Sequence, residues 1–135
     1  MSARTKARKR ALDILYGADV RGVAIPELLA EEAARAAARP ERASSWDYAR
    51  DIVEGVVEHL DDIDQSIVDH AQGWRLDRMP AVDRALARIG VWEIRYRDDI
   101  PDGVAIAEAV EAARELSTDE SAGFLNGLLG AVAKG

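Results

Sequence analysis

The sequence predicts an all-α protein, and three observations predict it. Apolar residues recur at alternating steps of three and four along nearly the whole chain. Its four prolines, Pro26, Pro40, Pro80 and Pro101, fall between those stretches rather than inside them. No convincing period-two alternation marks a strand. At 135 residues and 48% hydrophobic, the chain fits one domain with a core of its own.

Six helices follow in order. The first runs from about Ala3 to Asp19, with Ala7, Ala11, Ile14, Leu15 and Ala18 at helical spacing and Gly22 after its end. Pro26 suits the first turn of the second helix, which Pro40 ends. Ser44 or Ser45 is placed to cap the third. Its seam of Trp46, Ala49, Val53, Val56, Leu60, Ile63 and Ile67 predicts one long helix ending at Gly73. Pro80 opens the fourth, with Val82, Leu86, Ile89, Trp92 and Tyr96 on one face. Beyond Pro101, Ile106, Ala109, Val110, Ala113 and Leu116 mark the fifth. Ser117 to Glu120 reads as a capping box for the sixth, whose apolar stripe is Leu125, Leu128, Leu129 and Val132. Two sub-bundles, 1–74 and 75–135, are expected to share one core.

Net charge is −7, which argues against general coating of a polyanion. The distribution is uneven. Arg4, Lys6, Arg8, Lys9 and Arg10 put five cations in the first ten residues with no acid among them. The rest of the chain holds all 25 acidic groups against the other 13 of the 18 basic ones. An acidic body with a basic start fits either one localised nucleic-acid contact or a bland solvated helix start, where cations oppose the helix dipole. The first ten residues lack an apolar signal-peptide core, and no stretch has the length of a membrane span. A cytoplasmic location and no membrane partner are therefore expected.

Catalysis has little to work with. There is no cysteine, and the two histidines, His59 and His70, lie 11 positions apart on the third predicted helix, too far along the axis to share a metal. No phosphate-binding glycine loop, nucleophile elbow or zinc spacing occurs. We expect no enzyme, no metal and no cofactor. Arg4 and Arg8, and likewise Lys6 and Arg10, are four residues apart, so cations project from successive turns where a single strand's phosphates could be tracked. Tyr16 follows on the same helix, either as a stacking aromatic or as a half-buried packing residue. On the last helix, Gly123, Gly127 and Gly130 gather opposite the apolar stripe, each costing about 1 kcal/mol relative to alanine. Phe124, the single phenylalanine, flanks the stripe as either a base platform or core.

These residues carry a resemblance. The run Arg4-Thr5-Lys6-Ala7-Arg8 followed by Ala11 and Leu15-Tyr16, the segment from Pro80 to Glu93, Val104 to Val110, and Phe124-Leu125-Asn126-Gly127 resemble, in order, the NusB family of antitermination factors. The resemblance implies an all-helical protein of two sub-bundles. It implies binding to boxA, a short single-stranded element of ribosomal RNA leader transcripts, together with NusE, a small-subunit ribosomal protein. It implies an indirect link to other Nus factors and RNA polymerase that suppresses premature termination. By position, Arg4, Lys6, Arg8, Tyr16 and Phe124 fall where the family places RNA contacts, and Lys9 of the same basic run is a further RNA-binding candidate. Asp83, Arg84, Trp92 and Glu93 fall in the region of its protein partner. Ala107 departs from a common asparagine, and Glu120 adds an anion near the implied RNA surface. Two other readings stand beside this one: the RNA-binding domain of a ribosomal RNA cytosine methyltransferase family, which would require a detached fragment, and a purely protein-binding helical adapter.

Overall fold

A computed structural model describes residues 2–135, and among them there are seven α-helices, two short 3₁₀ turns and no strand. The all-α expectation holds. The chain separates into two compact units, the first ending at Glu58 and the second spanning His59–Gly135. The division thus falls earlier than the 74/75 boundary expected from sequence.

In the first unit, α1 (Ala3–Arg21) begins at Ser2, whose hydroxyl accepts a hydrogen bond from the Thr5 N–H at 3.1 Å. It ends where Gly22 turns left-handed at φ 68°, a conformation that costs a glycine nothing. After α2 (Ile25–Ala37), with Pro26 in its first turn, Pro40–Arg42 forms a 3₁₀ turn that leads into α3 (Ala43–Glu58). Ser44 and Ser45 therefore lie inside α3 instead of capping it. The main packing is α1 on α3, with α2 against both. Leu12, Ile14 and Leu15 are buried in this unit with Trp46, Ile52, Val53 and Val56. Each such aliphatic side chain contributes about 1.5–3 kcal/mol by leaving water.

In the second unit, α4 (Leu60–His70) precedes a 3₁₀ turn at Leu76–Arg78, then α5 (Ala81–Tyr96), α6 (Asp102–Leu116) and α7 (Asp119–Lys134). α6 and α7 pack on each other and on α5, and α4 lies against α5 and α7. The long third helix expected from sequence is thus two helices, α3 and α4, interrupted at His59. Its apolar seam runs through the break without a glycine or proline to betray it. His59 adopts φ −113°, and its ring stacks on Tyr96 with centroids 3.8 Å apart and planes 9° from parallel. The reward for the break comes from a residue 37 positions away in sequence. Arg88 joins α5 to α4 through a two-pronged ion pair to Asp64, at 2.8 and 2.9 Å.

The start of α7 also departs from expectation. Its N-cap is Thr118, whose hydroxyl accepts from the Ser121 N–H at 2.9 Å, and not a box closed by Glu120. Ser117 is occupied elsewhere: its hydroxyl donates to Asp83 Oδ1 at 2.9 Å.

Candidate nucleic-acid interface

In the first unit, the cations of α1 sort onto two faces. Arg4 and Arg8 turn toward α3, with guanidinium carbons 4.7 and 5.8 Å from the centre of the Tyr48 ring. Tyr48 is itself buried, so two cations share one aromatic. Arg8 is only 9% exposed. Its guanidinium lies against Tyr48 of α3, which leaves little of it at the surface for a phosphate. Arg10 is held similarly, 5.6 Å from the Trp46 ring and donating to Ser45 Oγ at 3.0 Å.

Arg4 stays exposed beside the Tyr48 ring, and the second face carries the lysines. Lys6, Lys9, Asp13 and Tyr16 lie within about 80° of arc, since 100° per residue brings steps of three, seven and ten back to one side. Lys6 and Asp13 are exposed, Lys9 is half-buried, and Tyr16 is 40% exposed. Tyr16 is thus partly packed and partly presented to solvent. A shallow cavity of about 360 Å³ adjoins this face, lined by Ala3, Lys6, Arg10, Glu41, Ser44 and Ser45. Asp13 is the one acid of the stripe. Though the residue as a whole is exposed, partial desolvation of its carboxyl against its neighbours raises it above the usual carboxylate range, with Glu32 adding to the rise and Lys9 opposing it.

In the second unit, Phe124 is half-buried on α7. Its ring meets Trp74, with centroids 5.0 Å apart and planes tilted by 47°. Gly123 and Gly127 are exposed, and a Cβ built on Gly123, Gly127 or Gly130 would meet nothing within 4 Å. Packing against the chain's own backbone therefore does not explain that glycine face. Gly90 is the opposite case, because a Cβ there would fall 2.7 Å from the Leu129 side chain.

The four residues expected in a partner region are mostly internal. Asp83, Trp92 and Glu93 are 4%, 5% and 1% exposed. Arg84 is half-buried and donates to the carbonyl oxygens of Leu76 and Met79 at 2.8 and 3.2 Å, closing the turn before α5. They mark a region of α5 and not an exposed contact surface, since their side chains are engaged within this unit. Asp83 is the clearest example. Its carboxylate accepts from Ser117 at 2.9 Å and from Ser121 at 2.6 Å, tying α5 to the start of α7 one turn before Phe124.

Sequence reasoning missed Tyr48, the aromatic under Arg4 and Arg8, and Trp74, the neighbour of Phe124. Tyr48 sits beside the recognised seam and reads as ordinary core. Trp74 gave one signal, an indole in a polar loop just after Gly73. Among the described residues, no group of three or more His, Asp or Glu side chains is placed to hold a metal, and no helix is long and apolar enough to cross a membrane.

Known proteins bear on this arrangement. A sequence profile of the NusB family matches residues 5–134. The transcription antitermination protein NusB of Leifsonia xyli is 63% identical over 134 residues, which cover 99% of this chain and 93% of that protein. Its counterpart in Clavibacter sepedonicus is 62% identical over 133 residues, covering 98% and 97%. The solved structure of T. maritima NusB superposes with a TM-score of 0.83 at 30% identity, covering 99% of this chain and 92% of that one. A crystal structure of antitermination factors NusB and NusE in complex with double-stranded RNA gives 0.82 at 28% identity, covering 99% and 98%. With a family profile and relatives matched from end to end, the chain belongs to the NusB family.

Proposed function

We propose that the protein is an RNA-binding transcription antitermination factor. In this reading it acts in the cytoplasm and binds boxA-type single-stranded elements of ribosomal RNA leaders. It does so with NusE, and promotes processive transcription of ribosomal RNA operons through other Nus factors and RNA polymerase. The observation that carries the reading is the stripe of α1: Lys6, Lys9 and Tyr16 on one solvent face of an otherwise acidic chain. Cations follow phosphates and an aromatic surface takes a base, which is how single strands are held without a groove to read. Arg4 adds charge at the edge of the stripe, and Arg8 and Tyr48 hold the helix that displays it. Phe124 supplies a second aromatic on α7.

NusE binding is supported by the relative solved with that partner. We place its contact regionally on α5, through positions flanking the buried Asp83, Trp92 and Glu93. A protein-only adapter would have no use for the cationic stripe, so RNA binding separates the two readings. The test is binding of a labelled boxA-type RNA at several salt concentrations, with and without NusE. The Lys6→Ala, Lys9→Ala pair should weaken binding and reduce the salt slope by about 0.7 for each phosphate no longer neutralised. A slope identical to that of the unmodified protein would reduce the stripe to a solvated helix face.

A further inference from the structure

We propose that Trp74 is a base-stacking residue, forming with Phe124 a single aromatic platform for an unpaired nucleobase. The proposal rests on the RNA-binding reading above and extends it to a residue that neither the family resemblance nor the sequence pattern marked. The three tryptophans differ sharply in placement: Trp46 and Trp92 are 8% and 5% exposed, whereas Trp74 is 44% exposed. An indole is the largest apolar side chain, and leaving it half in water forgoes burial that its two counterparts enjoy. Its partner ring is Phe124, 5.0 Å away and tilted by 47°. That tilt leaves the two rings open to a third, rather than closed on each other face to face.

The surroundings favour a flat ligand. Gly127 is one turn beyond Phe124 on α7, and Gly123 immediately precedes it. Neither glycine has chain atoms within 4 Å of where a Cβ would stand. Side chains are thus withheld beside the platform, and the chain's own packing does not require it. Asn126 is exposed on the same helix and offers an amide to a base edge. Arg75, next to the indole, is ion-paired with Asp77 at 3.0 Å with both side chains 66% exposed. A pair so exposed contributes little to stability and is readily exchanged for a phosphate. Ring, ring, bare helix face and cation together suit a nucleotide of a single strand, which offers a flat base and a phosphate at once.

The experiment uses the full chain, an end-labelled single-stranded boxA-type RNA and a duplex of the same sequence, with NusE present and absent. Anisotropy of the label reports binding, and tryptophan emission reports stacking. To keep the signal free of any emission from NusE, emission is read in the arm without it and affinity in both. Single-stranded RNA should quench the emission in step with binding, and the duplex should not. Trp74→Phe should bind within about two-fold of the unmodified protein but lose the quench. Trp74→Ala should weaken binding about ten-fold, as expected when one stacking ring is removed. Its salt slope should be unchanged and its melting temperature lowered by only a few degrees, with affinity referred to the folded fraction, which separates stacking from phosphate binding and from misfolding. Binding by Trp74→Ala equal to that of the unmodified protein, or quenching retained in Trp74→Phe, would overturn the assignment of Trp74 alone. Equal quenching by the duplex would overturn the unpaired base. Failure of the unmodified protein to bind RNA in either arm would overturn the parent reading and this one with it.

Discussion

Asp83 offers the sharpest test of how the second unit is held together. Its carboxylate is 4% exposed and accepts two hydroxyl hydrogen bonds, from Ser117 at 2.9 Å and Ser121 at 2.6 Å. The Ser121 hydroxyl lies 3.0 Å from both Ser117 Oγ and Thr118 Oγ1, so two hydroxyls reach the acid and a third joins them through Ser121. A hydrogen bond to a charged group contributes about 1.5–3 kcal/mol, against which stands the cost of burying the carboxylate. Asp83→Ala deletes both bonds and leaves the buried Ser121 and half-buried Ser117 hydroxyls without that acceptor. We expect a net loss of about 2–4 kcal/mol. For a chain of this size that lowers the melting temperature by roughly 10 °C. Asp83→Asn keeps the shape and one carbonyl acceptor, so it should lose about half as much. The assay is thermal and urea unfolding of both variants, combined with Ser121→Ala in a double-mutant cycle. A coupling of about 1 kcal/mol or more between positions 83 and 121 is expected. Since the tie ends one turn before Phe124, hydrogen exchange should also quicken first at the start of α7. An unaltered melting temperature in Asp83→Ala, with no coupling to Ser121, would refute the reasoning and make the network incidental.

Two glycines on neighbouring helices should respond in opposite ways. Gly90→Ala drives a methyl to 2.7 Å from Leu129, which is fully buried, and should destabilise by about 1–2 kcal/mol even after the helix-propensity gain. Gly127→Ala, with open space at its Cβ, should instead raise stability by up to about 1 kcal/mol, and calorimetry of the pair checks both signs. Asp13→Asn tests the raised carboxyl of the α1 stripe. A carboxyl whose pKa is raised on folding contributes stability that is present below its unfolded pKa and lost as pH rises through the folded one. The asparagine variant should therefore be more stable than the parent at neutral pH, with the gap closing on acidification through the carboxylate range. A melting series against pH in which Asp13→Asn is the less stable at neutrality would contradict this. The same variant removes the acid between Lys9 and Tyr16 and should bind RNA more tightly at low salt.

Much of this protein was legible in one dimension because helices write their burial into local sequence. The three-and-four spacing of Leu125, Leu128, Leu129 and Val132 already names the face that α7 buries, and all four are buried. Pro26, Pro80 and Pro101 mark helix starts through a constraint each carries alone, a missing N–H and a restricted φ. The uneven charge of the first ten residues is likewise a property of the string. What tertiary structure decided depends on partners distant in sequence. The break at His59 has no local breaker, and its stacking partner is Tyr96. Spacing alone could not say which α1 cations face water. Tyr48 takes Arg8 out of water and lies beneath an exposed Arg4, while Lys6 and a half-buried Lys9 share the side of Tyr16. Nothing local to Asp83, in a helix's first turn, foretells Ser117 and Ser121, more than 30 residues on, which bond its carboxylate. Trp74 became half of an aromatic pair only when the fold brought Phe124 to it. Periodicity records which side of a helix is apolar, but which polar side chain meets which is set by packing between helices, and no local pattern encodes that.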